Sequence, residues 1–229
     1  MKNKPTKPTF KEEEILWEKG FKYIIGIDEV GRGCFAGPIV AGAVVFKKDC
    51  NRELLTEVND SKQLKFLQRK KLSKVIKEEC LYWGIGTIPV STINKVGIGK
   101  ANRIAFRKAI NNIMKQVEAE NEKNAKYQIL NSKYYLLVDG FNIRYVKGVG
   151  LKNEKAIVKG DQISMSIAAA SVIAKDHRDR IMKMLSNKYP EYGFGRNKGY
   201  GTKEHQAAIK KYGLTKIHRP VFCKNFVDN

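Results

Sequence analysis

Tyr134-Tyr-Leu-Leu-Val138, a short apolar run closed by Asp139-Gly140, restricts the possible folds more than any other feature of this chain. Without polar alternation it reads as a buried strand at the centre of a sheet. Lys22–Asp28, Ile39–Phe46 and Leu81–Ile88 are rich in β-branched and aromatic residues and add three more strands, and Ala156–Val158 a fifth, ending at Gly160-Asp161. Between them, helical spacing of apolar residues predicts helices over Leu64–Cys80, Gly99 to about Glu120, and Gln162 to about Ser186. Small residues in Ser166–Ala174 would let the last of these lie close against the sheet. Strands mixed with helices mean an α/β fold. We expect a loose basic tail and lead-in over 1–20, a main domain over 21–188, and a small helical cap over 189–229 that includes a helix at Lys203–Tyr212.

The chain's 229 residues carry 44 Lys and Arg against 23 Asp and Glu, a formal charge of +21, and such an excess points to a polyanionic partner. Residues 175–229 hold 13 basic and 5 acidic residues, about double the net charge density of the rest, which suggests a phosphate-contacting face there. The longest apolar stretch, Ile163–Ala174, is interrupted by three serines and falls short of the roughly 18–20 residues of a membrane span. The N-terminal lysines and prolines run into Lys11-Glu-Glu-Glu14 rather than an apolar segment, so no signal peptide is expected. Cys34, Cys50, Cys80 and Cys223 have neither zinc-site nor disulfide-framework spacing. A cytoplasmic protein with reduced thiols is the expectation, and nothing in the pattern requires more than a monomer.

In so basic a chain the positions of the acids carry information. Asp28 and Glu29 close the first strand, Asp139 the central one, and Asp161 stands between the fifth strand and the long helix. Ligand sites of open α/β sheets form at these carboxyl ends. Carboxylates gathered there need partners, and hard oxygen donors select Mg²⁺ or Mn²⁺. Two such ions about 3.5–4 Å apart can serve phosphodiester hydrolysis. Neighbouring strand residues point to opposite faces, so Asp28 and Glu29 can share a site only if the strand ends or bends between them, which Gly31 and Gly33 would permit. The plainer alternatives are a loop acid at Glu29 and a helix N-cap at Asp161.

Gly31-Arg32-Gly33 is no dinucleotide fingerprint, because Ala36 stands where the third glycine belongs and a strand follows instead of a helix. Its glycines can expose backbone to a sugar, whose 2′-hydroxyl both donates and accepts, or simply form a tight turn. Lys198-Gly-Tyr-Gly-Thr-Lys203 combines cations, a ring between glycines and a hydroxyl at a helix start, a group suited to phosphates and nucleotide stacking. A mobile glycine loop is the competing reading. His177, His205 and His218 lack metal-ligand spacing and read as surface or packing residues.

Taken in order, Tyr23–Gly33 with Gly37-Pro38, Asp60-Ser-Lys-Gln-Leu64, Val138-Asp-Gly140, Lys159-Gly-Asp161, Ala168–Lys175, Lys198–Thr202 and His218-Arg219 resemble type 2 ribonuclease H (RNase HII) over roughly residues 22–222. The resemblance implies an RNase H-like mixed sheet flanked by helices, with a helical C-terminal part. It implies a two-metal-ion endonuclease, with Mg²⁺ or Mn²⁺, whose partners are RNA/DNA hybrids and duplex DNA containing ribonucleotides. Cleavage would fall 5′ of the ribonucleotide, leaving a 3′-hydroxyl and a 5′-phosphate, in the removal of misincorporated ribonucleotides and RNA primers. Carried over by motif, Asp28, Glu29, Asp139 and Asp161 are the metal-binding catalytic acids. Gly31, Arg32 and Gly33 read the 2′-hydroxyl, Tyr200 stacks on the deoxyribose 3′ of it, and Lys62, Lys175, Ser164 and Thr202 contact phosphates. The Gly-Arg-Gly form and the lack of an extra N-terminal domain favour type 2 over type 3. The chain departs from the family pattern at Asn197, Val221-Phe222 and Asp176.

Overall fold

A computed structural model describes residues 7–59, 61, 64–123 and 134–226. Its elements follow in chain order as α1 (Lys11–Glu18), β1 (Tyr23–Val30), β2 (Ile39–Phe46), α2 (Phe66–Glu79), β3 (Cys80–Ile88), α3 (Val90–Val96), α4 (Ile98–Lys123), β4 (Tyr134–Asp139), β5 (Glu154–Ile157), α5 (Met165–Lys188), α6 (Phe194–Asn197) and α7 (Lys203–Tyr212). The strands form one mixed sheet in the order β3-β2-β1-β4-β5. The β1–β2 and β2–β3 pairs are antiparallel; β1–β4 and β4–β5 are parallel. Tyr134–Val138 is therefore buried between two strands, with Leu136, Leu137 and Val138 fully buried as its composition predicts, while the middle of the sheet belongs to β1.

Strand alternation divides the sheet between two helical layers. Ile25, Ile27, Ala41 and Val138 face one side and pack on Ala105, Phe106 and Ala109 of α4. Ile24 and Val44 face the other and pack on α5. On that side α5 lies almost against the strands. A Cβ on Gly26 would stand 2.2 Å from the Ser166 carbonyl carbon, and one on Gly42 would stand 2.2 Å from the Ala170 oxygen. The small residues of α5 thus do what the sequence suggests. A separate small core of Met182, Tyr192, Phe194, Ile209 and Cys223 joins the far end of α5 to the C-terminal helices, with Ala36 reaching into it from the β1–β2 loop.

Two expectations change. Residues 11–18, where the lead-in is expected to make only a short acidic-amphipathic turn, form the full helix α1, with Glu13 and Leu16 buried. Residues 160–162 form a single tight turn, so α5 starts three residues later than predicted, at Met165, where the Ser164 hydroxyl accepts from Ile167 N. No helix among the described residues is long and apolar enough to cross a membrane.

Candidate active site

In the parallel β1–β4 pair Ile27 stands opposite Val138. The next residue on each strand is an acid, so Asp28 and Asp139 emerge side by side where β4 stops. Asp139 Oδ1 accepts from Gly160 N at 2.7 Å, which brings Asp161 to the same end of the sheet. β1 does not end or bend at Asp28, contrary to expectation. It stays in register with β2 through Val30, so Asp28 shares the α5 face with Gly26 while Glu29 shares the α4 face with Ile27. Both acids still border one cleft, of about 200 Å³, because β4 ends and leaves the top of the sheet open.

Asp28 is almost wholly buried, and burial pushes its carboxyl well above the usual range. The charges of Asp139 and Glu29 push further, and that of Asp161 adds to them, while a hydrogen bond from Ser171 opposes. Ser61 Oγ lies 2.9 Å from Ser171 Oγ, behind that bond. Neither plain alternative survives: Glu29 is a strand residue 3.8 Å from Arg32, and the cap of α5 is Ser164, not Asp161. As the side chains stand, no three acids, thiols or imidazoles among the described residues converge on one ligand point. A buried Asp28 facing the charges of three further carboxylates at this end of the sheet nonetheless fits a divalent cation, since hard anionic oxygens are the donors Mg²⁺ and Mn²⁺ take.

The glycine turn forms the cleft's rim. Gly31 has φ +92°, and a Cβ there would strike the Arg178 guanidinium. Gly33 has no described atom within 4 Å of a Cβ, so its backbone faces open space. Two fully buried arginines hold the turn. Arg178 donates to the carbonyls of Pro38, Ala36 and Lys198, and Arg219 donates to those of Gly37 and Arg32. Sequence reading missed Arg178, although the Ala174-Arg178-Met182 spacing places it on the buried stripe of α5.

Tyr200 lies across the cleft. Its ring sits beside the Arg178 guanidinium at 5.9 Å, and burial together with the Cys34 thiol pushes its hydroxyl up to about 12. The chain around it is held by a directed relay. Thr215 N donates to His218 Nδ1, which leaves His218 Nε2 to donate to His205 Nε2 at 3.1 Å, and His205 Nδ1 to donate to the Tyr200 carbonyl. Of the two readings open for them, surface or packing, His205 and His218 take the second, and they also meet each other, which spacing alone does not reveal. Asn197 bonds Tyr192 O and Gly199 N and so shapes the same loop. Asp176 ties Ser73 of α2 to Arg180, away from the cleft.

Lys175 lines the cleft, paired with Asp179 at 2.6 Å, and burial lowers its pKa. Asp179 also binds Arg69, which holds the carbonyls of Ser61 and Leu64. Thr202 is exposed at the start of α7 and caps it. Ser164 is a correction. It is fully buried, donates to Glu13 and caps α5, so it has no surface to offer a phosphate. Lys62 lies outside the described residues.

A second hollow of about 400 Å³, missed by the sequence reading, continues from Arg32 onto the α4 side. The guanidinium groups of Arg32 and Arg103 each stand 5.8 Å from the centre of the Phe141 ring. Beneath them the buried Asn102 amide has no hydrogen-bond partner at either polar atom among the described residues.

A family model described as Ribonuclease HII matches residues 25–225. A ribonuclease HII of Clostridioides difficile is 47% identical over 95% of this chain and 80% of its own length. One from Caldanaerobacter subterraneus is 41% identical over 94% of this chain and 80% of its own. Among solved structures, ribonuclease H2 of Pyrococcus horikoshii superposes with a TM-score of 0.66 at 25% identity, covering 89% of this chain and 96% of that one. Bst-RNase HIII in complex with Mn²⁺ shares the fold at 18% identity, with a TM-score of 0.60 over 84% of this chain and 63% of that one.

Proposed function

The chain belongs to the ribonuclease HII family, and from that premise we propose that it hydrolyses RNA in RNA/DNA hybrids and at single ribonucleotides embedded in duplex DNA. It cuts 5′ of the ribonucleotide and leaves a 3′-hydroxyl and a 5′-phosphate, which suits the removal of misincorporated ribonucleotides and RNA primers. The observation that carries the reading is the placement of the buried Asp28 among Asp139, Glu29 and Asp161 at the end of the sheet, beside the open backbone of Gly33. An acidic centre serves hydrolysis, and the rim suits recognition of a sugar.

Asp28, Glu29, Asp139 and Asp161 hold Mg²⁺ or Mn²⁺. When bound, such ions activate water and stabilise the leaving oxygen. Ser171 orients Asp28 through its hydrogen bond. The Gly31–Gly33 backbone accepts the ribose closely enough to sense its 2′-hydroxyl, and the two buried arginines keep that backbone from yielding. Tyr200 stacks on the next sugar, while Lys175 and Thr202 neutralise phosphates. The strand then crosses the end of the sheet toward Arg32, Arg103 and Phe141. The free thiols suit a cytoplasmic protein, and the basic surface suits a nucleic-acid partner.

The deciding experiment is cleavage of an end-labelled DNA duplex carrying one ribonucleotide, with Mg²⁺, Mn²⁺ or EDTA, beside an all-DNA control. A metal-dependent cut 5′ of the ribonucleotide is expected. Salt-sensitive binding with no cut under any metal would instead describe a non-catalytic nucleic-acid-binding protein, and equal cutting of the all-DNA duplex a different nuclease.

A further inference from the structure

A buried carboxyl group on α1 has no part in the mechanism. Glu13 of α1 is 1% exposed. Its Oε1 accepts from Ser164 Oγ at 2.6 Å, Ser166 N at 2.9 Å and Ser166 Oγ at 2.5 Å, whereas Oε2 is buried with no partner among the described residues. Burial holds its pKa above the usual value against those bonds. An acid buried with one oxygen unsatisfied is a poor device for stability alone, since apolar replacements of buried charges are often neutral or better. Its partners suggest another use.

Four residues before Glu13, Thr9 grips the same segment. Thr9 N donates to Ile163 O, and Met165 N donates to Thr9 O. Residues 9–13 therefore hold positions 163–166 by five hydrogen bonds. Asp161 lies just upstream, in a turn closed by bonds from Ile163 N and Ser164 N to Gly160 O. That turn hangs from β5, a four-residue strand at the sheet edge paired with β4 alone. On its strand side the turn is tied to β4 by the Gly160 N–Asp139 Oδ1 bond, and on its helix side it is held by the N-terminal segment. The Ser166 hydroxyl also fills the notch at Gly26, two residues before Asp28. Glu13 stands behind the supports of two acids at once without touching either.

We propose that the N-terminal segment is a clasp that sets the position of Asp161 relative to Asp28, with Glu13 as its positioning residue. The inference rests on the reading of Asp161 as a metal ligand. Groups that orient ligands typically change metal affinity by about 10–100-fold when removed.

The test compares Glu13→Leu, Glu13→Gln and Ser166→Ala in the full chain, reading Mn²⁺ binding by titration calorimetry, thermal unfolding, and cleavage against Mn²⁺ concentration. Glu13→Leu should remain folded, bind Mn²⁺ about 10-fold more weakly, and recover cleavage as Mn²⁺ is raised. Glu13→Gln should stay close to the parent, because its amide oxygen can accept the same three bonds. If Glu13→Leu fails to fold, Ser166→Ala carries the test and should show a smaller loss of the same kind. Unchanged Mn²⁺ binding in the folded variants would overturn the clasp, as would a Glu13→Gln variant as weak as Glu13→Leu. Asp161→Asn separates the two readings: if it too leaves Mn²⁺ binding unchanged, the metal-site assignment has failed first.

Discussion

Gly33→Ala separates the needs of the fold from those of the substrate. The new Cβ meets no described atom within 4 Å, and Gly33 lies outside the left-handed region, so the folded state tolerates it. Removing glycine's freedom from the unfolded chain should stabilise by about 0.4–1 kcal/mol. At about 2–4 °C per kcal/mol for a domain of this size, the melting temperature should rise by at most about 4 °C. On the proposed reading, the same methyl group projects where the ribose approaches. A displacement of about 1 Å there costs about 100-fold in rate, equivalent to about 2.7 kcal/mol of transition-state stabilisation. The assay pairs kcat/KM on a duplex with one ribonucleotide with a thermal melt and with binding to all-DNA duplex, which should hold. Gly31→Ala is the contrast: at φ +92° and against Arg178 it should lower the melting temperature as well. Full activity of Gly33→Ala would refute the sugar-reading argument, and a large loss of stability would refute the claim of open space.

Three further outcomes follow from the same geometry. Asp28→Asn should reduce cleavage by at least about 100-fold yet raise the melting temperature of the metal-free protein, because it removes a buried charge crowded by three others; a lower melting temperature would contradict this. Arg178→Met strips the carbonyls of Pro38, Ala36 and Lys198 of their donor and should cost about 2–6 kcal/mol in urea unfolding, at about 1–3 for each of the two buried ones, and Arg178→Lys should not restore it, since one ammonium cannot span all three. His218 is pushed from 6.5 down to about 4 by burial and the neighbouring His205. The unfolded chain therefore binds more protons between those values, so the contribution of His218 is complete above pH 6.5 and is lost as pH falls through about 4. His218→Gln should flatten that limb of stability measured by urea at pH 7, 5.5 and 4; an unchanged acid slope would contradict the relay.

What could be read along the chain was whatever depends on near neighbours. Apolar runs show strands, helical spacing shows α2, α4 and α5, and acids scarce in a basic chain stand out at strand ends. The pairing of Asp28 with Asp139 needed one thing more, the Ile27–Val138 register. Register also explains why the expected bend after Asp28 is unnecessary: the strand continues, and the early end of β4 opens the site to both faces. Ser164 was misassigned because its motif is local while its partner, Glu13, lies 151 residues away. The same distance hid α1, whose polar Lys-Glu-Glu-Glu start looks solvated until one glutamate finds its donors on α5.

Residue order thus decided the element types, the positions of the four acids and the glycines of the rim, because strand and helix periodicity are properties of consecutive side chains. Tertiary packing decided which polar groups are buried and for what. Arg219 and Glu13 both carry side chains that are ordinarily solvated. Each is buried by elements distant in sequence, and a hydrogen bond across such a distance leaves no period in the chain that could announce it.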